Sequence, residues 1–178
     1  MDNLLTEGPV VIIGNHTHWT DPVYLALAYG KKCGRQVFFM AKEELFRGKI
    51  FKFLLKKAGA FPVSRVGNDM SAIKTAMRHL RSGEVVGIFP EGTRYHHNND
   101  EPLADFKQGA VVIAYKGKSP VIPVALENAC NFLRISKPAP IVRIGKPIYF
   151  DDVEGKNKQQ IIEEYTEICK KGILELYK

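Results

Sequence analysis

The chain has 178 residues, 45% of them hydrophobic, enough for a domain with its own core and too apolar for a disordered segment. Its 26 Lys and Arg exceed its 19 Asp and Glu, a net charge of +7, which favours an anionic partner: phosphate, an acidic lipid surface, an acidic carrier protein or nucleic acid. No apolar run of roughly 18 residues occurs, which excludes a spanning helix within the chain; three widely spaced cysteines, Cys33, Cys130 and Cys169, exclude a disulfide framework or zinc ribbon and fit a reducing compartment.

Val10 to Gly14 is a short apolar run ending in glycine and predicts a buried strand. Asp21-Pro22 opens a helix through about Tyr29, with Asp as a favoured N-cap and Pro suited to the first turn; Gly30 and Gly34 end it. Gln36 to Ala41 predicts a strand, Lys42 to Lys57 one or two helices broken near Gly48, and Gly59 to Val63 a short extended segment. Asp69 to Arg81 is a helix with Ile73, Met77 and Leu80 on one face and Gly83 as its stop. Glu84 to Phe89 follows as a strand, Pro90 to Lys107 as a polar loop containing His96-His97-Asn98-Asn99-Asp100, and Gln108 to Lys116 as a short helix. Pro120 to Leu126 and Ile141 to Ile144 are strands, the second extending towards Ile148. Lys156 to Lys178 closes the chain as an amphipathic helix with Ile161, Tyr165, Ile168, Cys169, Ile173 and Leu176 on one side. This alternation implies an α/β fold, a mostly parallel central sheet flanked by helices. Without a repeat or linker, residues 1–178 form one expected domain.

Reactive residues in such folds gather at the carboxyl ends of strands, and two blocks lie there. Asn15-His16-Thr17-His18-Trp19-Thr20-Asp21 follows the first strand. Histidine is the natural general base near neutral pH, and a carboxylate fixes its tautomer and stabilises the imidazolium. Residues five apart do not share a helix face, so pairing His16 with Asp21 needs His16 in a turn and Asp21 at the helix start. Asp21 before Pro22 also serves as a plain N-cap, and the two roles are compatible. His18 adds a His-x-His arrangement, but no third His or Cys ligand stands nearby, so no metal is expected. Trp19 reads as packing or an interfacial anchor. No G-x-S-x-G elbow occurs, which argues against a covalent acyl-enzyme. The second block is Phe89-Pro90-Glu91-Gly92-Thr93-Arg94. Arg94 suits bidentate phosphate contacts, Gly92 a tight turn and Thr93 a hydrogen bond; the plain alternative is a turn with a surface Glu91–Arg94 ion pair. Lys42 and Arg65 are further cations after strands.

Lys42 to Lys57 carries six cations, Lys42, Arg47, Lys49, Lys52, Lys56 and Lys57, against Glu43 and Glu44, with Phe46, Phe51, Phe53, Leu54 and Leu55 among them. A basic amphipathic helix rich in Phe suits a lipid interface. It equally suits an ordinary helix packing Phe51, Leu54 and Leu55 on the sheet, and both readings hold if Phe46 and Phe53 point outward.

Four ordered blocks carry a resemblance. Asn15-His16-x-x-x-x-Asp21, Gly59-x-x-Pro62-Val63-Ser64-Arg65, Phe89-Pro90-Glu91-Gly92-Thr93-Arg94 and Val121-Ile122-Pro123-Val124 resemble the 1-acylglycerol-3-phosphate acyltransferases of the glycerolipid acyltransferase family. Lys42-Glu43-Glu44-Leu45 and Phe106-Lys107-x-Gly109 look like the family as well. The resemblance implies transfer of a fatty acyl group from acyl-CoA or acyl-carrier protein to a lysophospholipid hydroxyl in phospholipid biosynthesis, with no cofactor beyond the donor substrate. It implies His16 as base and Asp21 as its orienting group. Glu91, Gly92, Thr93 and Arg94 would bind the acceptor's glycerol phosphate, assisted by Arg65 and Lys42, and Pro123 would shape the donor side. Attachment would be peripheral, on the cytoplasmic face of a membrane. Family members usually carry a helical membrane-binding segment before the first block; here only Met1 to Gly8 precede the first expected strand, so the expectation is that either such a segment was removed or attachment uses other surfaces. Glycerol 3-phosphate or another lysolipid as acceptor, and a non-catalytic lipid-binding module, remain open. Nucleic acid is not an expected partner, since no RNP motif, zinc finger or helix-turn-helix pattern occurs.

Overall fold

A computed structural model describes residues 4–64, 70–95, 103–131, 138–151 and 153–177. Six strands form one sheet: β1 Val10–Gly14, β2 Val37–Lys42, β3 Ala60–Val63, β4 Val85–Ile88, β5 Val121–Glu127 and β6 Ile141–Ile144. Their order is β3-β2-β4-β1-β5-β6. The first five run parallel and β6 runs antiparallel to β5. The helices among the described residues are α1 Asp21–Cys33, α2 Lys49–Lys57, α3 Met70–Arg81, α4 Gly109–Lys116 and α5 Lys158–Leu174.

β1 is central because it is apolar on both sides. Val11 and Ile13 join the core under α3, α4 and α5, with Ala76, Leu80, Ala114 and Ile161. Val10 and Ile12 join the opposite core under α1, with Leu25 and Tyr29. A two-faced parallel strand requires this continuous Val/Ile run. Each such side chain, removed from water, contributes about 1.5–3 kcal/mol.

The elements follow the expected order, with local differences. α1 continues past Gly30 to Cys33 and ends at Gly34, whose φ of 66° is left-handed. Packing of Tyr29 beneath the helix outweighs the weak helix propensity of Gly30. Asp21 is not the N-cap; Thr20 occupies that position, and Asp21 lies in the first turn with its carboxylate directed back at the preceding loop. Gly48 does divide Lys42 to Lys57, into a 3-10 turn at Glu43–Phe46 and α2. Phe46 is buried rather than outward, whereas Leu54 is exposed rather than packed on the sheet. In α5, a capping box of Asn157 and Gln160 starts the helix, Ile161, Tyr165, Cys169 and Ile173 are buried, and Ile168 is exposed. Burial pushes the Cys169 thiol up to about 12, so it is inert near neutral pH. No helix among the described residues is long and apolar enough to cross a membrane.

Beyond β1 the ladder is continued by a side chain. Buried Asn15 donates from Nδ2 to the Leu126 carbonyl at 2.9 Å and accepts the Leu126 N–H at Oδ1 at 2.7 Å. This clamps the loop bearing His16 to β5. Asn15→Ala leaves both backbone groups of Leu126 unpaired, so the unfolding free energy should drop by about 2–4 kcal/mol in denaturant titrations. A change below about 0.5 kcal/mol would mean the clamp carries no stability.

Candidate active site

The two blocks meet because neighbouring strands send their connections to opposite faces. β1 leads into α1 on one face, and adjacent β4 leads towards α4 on the other. Divergence of this kind opens a crevice at the carboxyl edge of a parallel sheet. His16 enters it from β1, and residues 89–95 enter from β4.

His16 Nδ1 lies 3.0 Å from Asp21 Oδ2. The same oxygen accepts the N–H groups of Thr17 at 2.6 Å and His18 at 2.7 Å. Asp21 is fully buried, and its Oδ1 is buried without a hydrogen-bond partner among the described residues. Because a carboxylate only accepts, Nδ1 carries the proton and a neutral ring keeps its lone pair on Nε2. The imidazole stacks on Phe89, with centroids 4.5 Å apart, which sets the ring plane. His18 Nδ1 instead meets Thr20 Oγ1 at 2.8 Å, while that hydroxyl donates to the Ala129 carbonyl. Trp19 is exposed.

The second block braces the first. His16 N–H donates to Glu91 Oε1 at 2.7 Å, and the His16 carbonyl accepts the Tyr95 N–H at 2.7 Å. Glu91 Oε2 accepts from the Ala104 N–H at 3.3 Å. Glu91 is buried and desolvation holds its carboxyl above the usual carboxylate range, against these hydrogen bonds. It is therefore turned inward and makes no surface pair with Arg94. Gly92 adopts φ 69°, open to glycine at little cost. A Cβ there would lie 2.9 Å from Lys107 Cε and Nζ, so the lysine stem crosses directly over this turn.

A cavity of about 320 Å³ adjoins the ring, lined by His16, Phe89, Gly92 and Lys107 and walled by Met40 and Ile73 among other apolar groups. Gly109, where α4 begins, also lines it, so a helix N-terminus adds partial positive charge. Thr93 and Arg94 are exposed on the same turn. Lys42 is exposed at the end of β2 and does not line this cavity. Arg65 lies outside the described residues. Pro123 lines a separate groove with Ile144, Ile148 and Gly172.

Sequence reasoning assigned no role to Lys107, although Phe106-Lys107-x-Gly109 was the available signal. It missed Tyr177 entirely. The Tyr177 phenol is pushed up, first by burial and then by the charges of Glu91 and Asp21. Nothing in the local sequence marks it.

A tautomer-fixed histidine backed by a buried carboxylate, beside a mainly apolar cavity that Lys107 lines, has the groups needed to take a proton from a hydroxyl. The acyltransferase family model matches residues 1–127, and the chain belongs to the acyltransferase family. It is 36% identical over 176 residues to the 1-acyl-sn-glycerol-3-phosphate acyltransferase of Bacillus subtilis, covering 98% of this chain and 84% of that protein. The enzyme of the same name from Streptococcus pneumoniae is 35% identical over 153 residues, or 85% of this chain, which spans 54% of that longer relative. The crystal structure of the 1-acyl-sn-glycerophosphate acyltransferase of Thermotoga maritima matches with a TM-score of 0.70 at 22% identity, over 98% of this chain and 69% of that one. At that identity it shows the fold.

A raised carboxyl has a defined effect on stability. Glu91 binds its proton more tightly folded than unfolded, so its contribution is complete at acid pH and is lost as pH rises through its folded pKa. The unfolding free energy of wild type minus that of Glu91→Gln should therefore fall with rising pH in paired denaturant titrations. A difference that rises over the same interval would contradict the assignment.

Proposed function

We propose that the chain transfers a fatty acyl group from the thioester of acyl-CoA or acyl-carrier protein to the hydroxyl of 1-acylglycerol 3-phosphate, giving phosphatidate. The observation that carries this reading is His16, held by buried Asp21 with Nε2 left over at a mainly apolar cavity that Lys107 also lines. His16 Nε2 takes the acceptor hydroxyl proton as the oxygen attacks the thioester carbonyl. The tetrahedral intermediate collapses, the C–S bond breaks, and the departing thiolate takes the proton from the imidazolium. Asp21 stabilises that imidazolium; its unpartnered Oδ1 leaves negative charge that a protonated ring offsets. Lys107, Arg94 and the α4 N-terminus receive the acceptor phosphate, while the apolar wall receives hydrocarbon. Glu91 positions His16 and does not touch the acceptor. The acceptor is an amphiphile, so the reaction belongs at a membrane surface, on the cytoplasmic face where the three cysteines stay reduced.

Thioester-dependent acylation of lysophosphatidate in detergent micelles tests this. His16→Ala should lower kcat by roughly 10²–10⁴-fold, the usual worth of a general base, and Asp21→Asn by a similar factor. Arg94→Ala and Lys107→Ala should chiefly raise the acceptor KM. Wild-type turnover that survives His16→Ala sinks the mechanism; vesicle binding with no turnover assigns a non-catalytic lipid-binding module.

A further inference from the structure

α2 carries Lys49, Lys52, Lys56 and Lys57 and no acidic residue. Its apolar residues Ile50, Phe53 and Leu54, spaced i, i+3, i+4, are 78%, 65% and 53% exposed. An amphipathic helix of a globular chain normally turns such residues inward; α2 turns them out. Behind the helix, between α2, β3 and α3, lies a cavity of about 680 Å³ lined by Arg47, Lys52, Lys56 and Arg78, with Glu43 and Glu44. Among the described residues none of these six groups is in an ion pair. Four cations against two carboxylates leave the cavity short of negative charge. The 3-10 turn leading into α2 starts directly after β2 ends, on the carboxyl edge of the sheet that also carries His16.

We propose that this cavity is a second lipid site, distinct from the catalytic crevice, which takes the phosphate headgroup of an anionic phospholipid. Ile50, Phe53 and Leu54 enter the acyl boundary of the same leaflet. Hydrocarbon is the environment that bare Ile, Phe and Leu beside lysines require, and an anionic leaflet supplies the missing charge. The occupant is thus a bilayer rather than an acidic soluble protein. The site rests on the reading that the enzyme acts at a membrane surface, and it holds that surface against the edge where the acceptor must arrive.

Sedimentation of the full chain with phosphatidylcholine vesicles, with and without phosphatidylglycerol, tests the proposal. Binding should require the anionic lipid. Lys52→Gln/Arg78→Gln should weaken it about thirtyfold, since each cation near the surface is worth roughly fivefold, and Phe53→Ser should weaken it as well. Lys116→Gln/Lys118→Gln removes the same charge elsewhere and should lower binding far less; equal loss in both pairs would reduce the effect to net charge and overturn the site. Unchanged circular dichroism melting of the variants confirms their fold. Full displacement by millimolar inorganic phosphate, or by acyl-carrier protein, would assign the cavity to a free anion or an acidic protein and overturn the lipid site. Micellar turnover of the wild type separates the two readings. Turnover with unimpaired vesicle binding by Lys52→Gln/Arg78→Gln defeats only this site. Cavity-dependent binding without turnover defeats only the proposed reaction.

Discussion

A buried carboxylate organises the carboxyl edge of the sheet around His16. Asp21 is fully removed from water, and a buried charge is costly unless it is paired and hydrogen-bonded. Three donors, Thr17 N–H, His18 N–H and His16 Nδ1, converge on one of its oxygens. Satisfying that oxygen folds the 16–20 loop back over the start of α1 and leaves His16 in one orientation and one tautomer. The sharp turn, the ring geometry and the position of Nε2 are consequences of a single desolvated group.

That loop is held from three directions. Asn15 ties it to β5, Glu91 and Tyr95 tie the His16 peptide to the β4 connection, and Phe89 fixes the ring face. Glu91 acts here through the backbone: it bonds two N–H groups and contacts neither the exposed Arg94 nor solvent. Within the Phe89-to-Arg94 block the division of labour is physical. The inward carboxylate holds the His16 peptide, the glycine permits the turn, and the cations that remain at the surface or over the turn, Arg94 and Lys107, are the ones available to an anion.

Charge and hydrophobicity divide the edge further. The crevice beside His16 is small, mainly apolar and touched by Lys107, whereas the larger cavity behind α2 is mainly cationic and Ile50 and Phe53 of that helix are exposed. The crevice lies on the carboxyl side of a sheet whose opposite end is tied down differently. There Arg35 donates to the carbonyls of Leu5, Gly8 and Gly83, and the Tyr29 hydroxyl donates to Leu5. One end of the molecule is thus closed by hydrogen bonds to backbone carbonyls, and at the other Arg47, Lys52, Lys56 and Arg78 make no ion pair among the described residues.

The sequence by itself determined the alternation of strands and helices, the buried character of β1 and the position of the two blocks after strands, because these depend on local periodicity and on residue types confined to a few positions. It was enough to couple His16 with Asp21, a spacing that one turn can close. Only the tertiary structure decided which face each group takes. The N-cap role expected of Asp21 gave way to hydrogen bonds to the preceding loop, and Glu91 turned inward to a backbone 75 residues away in sequence. α2 left Leu54 exposed while Phe46 became buried. Amphipathic spacing is the same for a helix packed on a core and one facing lipid. The sign of that choice, like the partner of a buried carboxylate, comes from contacts between segments distant along the chain.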